Sequence, residues 1–133
     1  MSQPISDLSD RLLLFSARVI RLLDYLPTTK AGREIADQLI RSSMSVGANY
    51  EEARGADSRA DFCNKLQISL KEMREARYWL CLTEKAEIVV DASAGEQVHK
   101  LVNEANELRA ILGKAAATAR GKAKQSSVHD PEN

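Results

Sequence analysis

The chain has little of what a sheet protein draws on. Aromatic residues make up 5% of its 133 positions, and there are only three prolines and six glycines. Strands favour aromatic and β-branched side chains, and many short strands need many turns. A sandwich or barrel is therefore excluded in favour of helices. Charge of one sign is also missing, since 19 Lys and Arg balance 19 Asp and Glu. No global field draws the molecule to nucleic acid or anionic lipid, so any such binding must come from local patches. Apolar runs such as Leu12 to Phe15 are far short of the roughly 20 residues that cross a bilayer. Met1-Ser2-Gln3-Pro4 lacks the basic region and apolar core of a signal peptide. A cytoplasmic protein with no membrane partner is expected. Cys63 and Cys81 share one predicted helix, and at 1.5 Å per residue they lie about 27 Å apart. They cannot bridge one another, and they read as small apolar side chains.

What is there is helical periodicity nearly throughout. The first helix is expected from about Asp7 to Tyr25, with Leu8, Leu12, Phe15, Val19, Leu22, Leu23 and Leu26 on one face. Pro27-Thr28-Thr29 ends it. The second runs from about Ala31 to Arg54 and buries Ile35, Leu39, Val46, Tyr50 and Ala53. The third is capped by Ser58 and runs to about Lys85, with Phe62, Leu66, Leu70, Met73, Ala76 and Leu80 inward. Ser93 and Glu96 form an S-x-x-E capping box that should open the fourth. Its inward face is Val98, Leu101, Val102, Ala105, Leu108 and Leu112. From Gly121 the chain is polar and aperiodic, so residues 1–120 read as one domain and 121–133 as a disordered basic and polar tail. The fold class is all-α. Short connections between long helices favour an antiparallel up-down-up-down four-helix bundle.

Two features exceed what a lone bundle needs. Ser42, Ser43, Ser45 and Gly47 interrupt the second helix, and small residues at that spacing allow a neighbouring helix to approach closely. Leu13, Ala17 and Ile20 widen the apolar arc of the first helix. On the third, Ile68, Glu72, Glu75, Trp79 and Leu82 follow at steps of four, three, four and three, roughly opposite the core stripe. Trp anchors are over-represented at subunit interfaces. This line is expected to meet another copy of the chain, with Arg41 of a neighbour pairing Glu72 or Glu75.

Sites for chemistry are sparse. Glu96 and His99 make one E-x-x-H, whereas a carboxylate-bridged metal pair needs a second copy on another helix. Neither phosphate-binding glycine motif is present, nor is the R-x-x-x-x-H of helical nucleases. No enzyme, cofactor or metal is expected. Between Leu108 and His129 stand Arg109, Lys114, Arg120, Lys122 and Lys124, with no acid. They suit a helix C-terminus, and they are also candidate phosphate contacts.

The segment Gln38-Leu39-Ile40-Arg41-Ser42-Ser43-Met44-Ser45-Val46-Gly47-Ala48-Asn49-Tyr50-Glu51-Glu52-Ala53 resembles the second helix of the bacterial four-helix proteins encoded by 23S rRNA intervening sequences. Lys65 to Leu80, with its K-E-x-x-E-x-x-Y-W-L, resembles that family's third helix, and the likeness extends over about Leu8 to Leu112. The resemblance implies a homopentameric ring with a central channel. It also implies kinship with accessory proteins of diversity-generating retroelements, which bind a reverse transcriptase and nucleic acid. The family's motif residues fall here on Arg41, Ser45, Asn49, Glu52, Lys71, Glu72, Glu75 and Trp79, expected to hold helices and subunits together. Those accessory proteins are strongly basic, and this chain is neutral. The expectation is a non-catalytic oligomeric module that contacts RNA or a ribonucleoprotein partner. The alternative is a purely protein-binding scaffold.

Overall fold

The computed structural model describes residues 5–128, with side chains described from 7 to 122. It contains four helices and, among the described residues, no strand: α1 (Ile5–Leu23), α2 (Lys30–Arg54), α3 (Arg59–Lys85) and α4 (Ala92–Val128). Each helix packs on its two chain neighbours, and α4 returns to α1, the contact pattern of a four-helix bundle. The α2–α3 and α3–α4 seams are the heaviest, and the α1–α4 seam is the lightest.

The predicted stripes form the core. Leu12, Phe15 and Val19 of α1 meet Leu39 and Val46 of α2, Leu66, Met73 and Leu80 of α3, and Val98, Leu101 and Leu108 of α4, all fully buried. Local chemistry fixes the helix starts. Thr29 Oγ1 accepts from the Gly32 N–H at 3.1 Å, and Ser58 Oγ accepts from Asp61 N–H at 3.1 Å. At α4 the cap differs from expectation. Asp91 Oδ2 accepts from Ala94 N–H at 2.9 Å, so Asp91 rather than Ser93 opens the helix. Glu96 turns to Lys100 at 4.0 Å instead of back to the cap.

The expected tail also begins too early. Helix α4 passes Gly121 and continues to Val128. Ala115, Ala116, Ala117, Ala119 and Ala123 are the best helix formers, and their propensity outweighs the roughly 1 kcal/mol cost of one interior glycine. The Lys124 side chain and residues 129–133, including His129, lie outside the described residues.

Buried hydroxyls tie the seams. Ser69 Oγ donates to the Val46 carbonyl at 2.8 Å across α2–α3, and Ser16 Oγ donates to the Ser43 carbonyl at 2.9 Å across α1–α2. Ser42 bonds its own helix, to the Gln38 carbonyl at 2.8 Å. The close approach thus involves the serines. A methyl group on Gly47 would meet only Leu12 Cβ at 3.8 Å, an ordinary contact. Gly32 is the crowded glycine: a Cβ there would sit 2.1 Å from the Pro27 carbonyl oxygen. Glu87, after α3, holds φ 53, the left-handed region that favours glycine.

Two substitutions follow with opposite signs. Gly32→Ala should lower the urea midpoint, because the turn from α1 must move. Glu87→Gly should raise stability by about 1 kcal/mol through relief of the left-handed strain. Equal midpoints for both variants and the parent would contradict this account.

Candidate functional site

Three surfaces gather the residues of interest. The first lies on the α2–α3 seam. Arg41 Nη1 donates to Glu72 Oε2 at 3.1 Å, Nη2 donates to Glu75 Oε2, and Gln38 Oε1 accepts from the same guanidinium at 3.1 Å. Trp79 Nε1–H donates to Glu75 Oε2 at 3.0 Å, and its indole stands edge-on to Tyr78 with ring centres 5.1 Å apart. The pairing expected between subunits is therefore made within one chain. The cause is register: the Ser69–Val46 bond places Arg41 opposite the two acids. Ile68, Glu72, Glu75, Trp79 and Leu82 are all half-buried, flanking the core stripe rather than opposing it.

The other motif residues are structural in the same sense. Asn49 Nδ2 donates to the Ser45 carbonyl at 2.9 Å and to its hydroxyl at 3.0 Å. Lys65 Nζ meets Glu52 at 3.0 Å, and Glu52 raises the lysine's pKa above its ordinary value. Lys71 is exposed on α3.

The second surface is the α1–α2 groove. Leu13 is 72% exposed, and Ile20 and Met44 are about half exposed beside Ala17 and Ala48; Leu14, also half exposed, does not line this groove. The widened arc of α1 is thus the apolar face that the fold leaves open. Met44 and Leu14 were not singled out in the sequence, because each sits outside a regular stripe.

The third surface is at the end of the bundle. Arg11 of α1 pairs with Glu104 at 2.7 Å and Glu107 at 3.7 Å, and the Glu104 carboxylate raises the Arg11 pKa. Beyond Glu107, Leu8 of α1 still lines the same surface as Ile111 and Ala115 of α4. A groove opens there over Tyr50, Phe62, Leu66, Ile111 and Ala115. Its rim carries Arg54, Arg59, Lys114 and Lys122, and no carboxylate lines it. Arg54 is held by Ser9 Oγ at 2.7 Å and Glu51 at 3.2 Å. Arg59, Lys114 and Lys122 have no ion pair among the described residues. Burial raises the Tyr50 phenol, which keeps it neutral on the groove floor. The basic residues of α4 therefore do not form one row. Lys114 and Lys122 line the groove, whereas Arg109 and Arg120 are exposed elsewhere on α4. The sequence signal for this groove was Ile111, Ala115 and Ala119 at four-residue steps with Lys114 and Lys122 among them.

The remaining titratable candidates are engaged between helices. His99 Nδ1 lies 2.8 Å from Glu84 Oε2, and Arg77 Nε donates to Asn106 Oδ1. Cys63 and Cys81 are free and half-buried. Among the described residues no group of three His, Cys, Asp or Glu side chains converges, and no helix is long and apolar enough to cross a membrane.

The profile of the 23S rRNA-intervening sequence protein family matches residues 8–114. The chain belongs to that family. A crystal structure from Bacteroides thetaiotaomicron VPI-5482 has a TM-score of 0.71 and 36% identity, covering 82% of this chain and 97% of that one. It is described as a protein with unknown function from the S23 ribosomal protein family. No curated protein matches the chain. The family span holds the whole Arg41 to Trp79 clamp and ends at Lys114. Arg120, Lys122 and Lys124 of this family member lie beyond it. Neither likeness names a catalytic activity.

The clamp generates a test. Glu72 has only 13% of its side chain exposed. Arg41→Ala should cost about 1–2 kcal/mol, since the carboxylate loses its fork of donors while staying half-desolvated. Arg41→Lys should recover only part, because an ammonium cannot bridge two carboxylates in one plane. Urea midpoints at low and high salt measure both.

Proposed function

We propose that this chain is a non-catalytic binding module that works as a closed oligomer of antiparallel up-down-up-down bundles, a homopentameric ring in the cytoplasm, and contacts RNA or a ribonucleoprotein partner. The antiparallel reading is supported by the pairings Ser9–Arg54 and Ser16–Ser43, Arg41–Glu72 and Glu52–Lys65, and Arg77–Asn106 and Glu84–His99. In each seam one partner's number falls as the other's rises.

The observation that carries the oligomer is the open apolar face of Leu13, Ala17, Ile20 and Met44. Contiguous exposed apolar patches mark interaction sites. A ring needs two different patches that complement one another. The second candidate is the outer face of α3, where exposed Tyr78 stands among Lys71, Arg74 and Lys85. Exposed Asp10 and Asp24 flank the α1 stripe and match that cationic face. The non-catalytic reading is supported by the use of His99, Glu84, Arg11 and Glu104 in ties between helices. Contact with RNA is supported by exposed Arg109 and Arg120 and by the family's description. The alternative, a protein scaffold without a nucleic-acid role, is supported by the apolar floor of the end groove.

Light scattering should give about five times the 14.7 kDa of one chain, and Leu13→Glu or Tyr78→Glu should shift it toward the monomer. A monomeric parent overturns the oligomer. For RNA, affinity should fall steeply between 50 and 200 mM salt, and replacing Arg109 and Arg120 by Ala should flatten the log–log salt slope by about two. No binding at low salt leaves the scaffold reading.

A further inference from the structure

The groove at the end of the bundle has a shape and a charge that no tie within the fold uses. Leu8 of α1, Tyr50 of α2, Phe62 and Leu66 of α3, and Ile111 and Ala115 of α4 line it. Its floor is apolar. Phe62 remains only half-buried, and Ile111 and Ala115 pack on the core from its edge. The rim is cationic, and Arg59, Lys114 and Lys122 have no partner carboxylate among the described residues.

We infer that this groove seats a short amphipathic helix of a partner protein, with its apolar stripe on Phe62, Ile111 and Ala115 and acidic flanks against Arg59, Lys114 and Lys122. An amphipathic helix laid in a groove is read through anchors at three- and four-residue steps, and Ile111, Ala115 and Ala119, one turn apart along α4, offer an apolar row of that spacing. Charge complementarity selects the flanks: basic or neutral flanks would leave the rim uncompensated. Nucleic acid would satisfy the rim and leave the apolar floor unused. The inference rests on the chain being a binding module, but neither on its subunit number nor on Arg109 and Arg120.

The test uses the full chain and a labelled helical peptide of about 12 residues, long enough for roughly 18 Å. It carries Leu at helical spacing with Glu flanks. Controls are a scrambled peptide, a Lys-flanked peptide and single-stranded RNA. Anisotropy should show the Glu-flanked peptide binding at least about tenfold more tightly than either peptide control. Lys114→Glu with Lys122→Glu should weaken it about tenfold and reverse the preference toward Lys flanks. Ala115→Glu should abolish binding, whereas Arg109→Ala with Arg120→Ala should leave it unchanged. Unfolding of each variant is followed by circular dichroism, and the reversed preference is a readout that a misfolded variant cannot give.

Equal binding of the scrambled peptide, or no binding, overturns the inference. Displacement of the peptide by RNA through Lys114 and Lys122 assigns the groove to nucleic acid. Dissociation of the oligomer by the peptide assigns it to a second copy. Binding only after deletion of residues 2–4 assigns it to the chain's own N-terminus. Each of these outcomes defeats the proposal. Loss of RNA affinity in the Arg109 and Arg120 variant bears only on the broader function.

Discussion

The bond from Ser69 to the Val46 carbonyl organises more of this molecule than its size suggests. A hydroxyl buried in an apolar core is costly unless it finds an acceptor. An acceptor on the backbone of the neighbouring helix demands that the two backbones run close. The small side chains of Ser42 and Ser43 allow this on α2, and the register then set has distant effects. Within about two turns along α3 the same register brings Arg41 between Glu72 and Glu75, and Glu75 in turn takes the Trp79 indole N–H. Polar residues that look like recognition elements in a linear sequence become the outer layer of an internal seam.

That layer changes how charge is used. The chain is neutral as a whole, yet its acids and bases are not evenly spread. Glu72, Glu75, Glu104 and Glu84 are engaged with partners on other helices. Lys71, Arg74 and Lys85 remain on the outer face of α3, and Arg59, Lys114 and Lys122 remain at one end. Net charge is an argument about long-range attraction, and it says nothing about such local imbalance. Acidic side chains spent inside the bundle leave cationic surface outside it.

The sequence carried the helices well because a 3.6-residue apolar period is a property of each helix alone. Leu12, Leu39, Met73 and Leu101 could be assigned inward without knowing their neighbours. Features that depend on two helices were less legible. The line of Ile68, Glu72, Glu75 and Trp79 has the spacing of an interface, but whether its partner is another subunit or α2 depends on register, which no period reveals. The S-x-x-E at Ser93 lost to Asp91 because two candidate caps stood two residues apart and only local geometry chooses between them. The end of α4 was misread for a different reason. Residues 121–128 have no amphipathic period, yet Lys122, Ala123, Lys124 and Gln125 are good helix formers. The end groove joins side chains from all four helices, and the period of a single helix cannot reveal such a site.

The molecule's two apolar openings are largely separate in space. The apolar stripe of Leu13, Ile20 and Met44 runs along the side of the bundle, whereas the floor of Phe62 and Ile111 lies where the α2–α3 turn meets the late turns of α4. Leu8 and Arg54 stand between the two, with Arg54 tied to Ser9 of α1. In a ring that closes through lateral faces, the end groove of each copy would stay free, so assembly and partner binding would not compete for one surface. Multiple copies held in fixed geometry raise the effective concentration of each site for a repeated partner, without any stronger contact at a single groove. In such a ring each weak groove would gain from its neighbours.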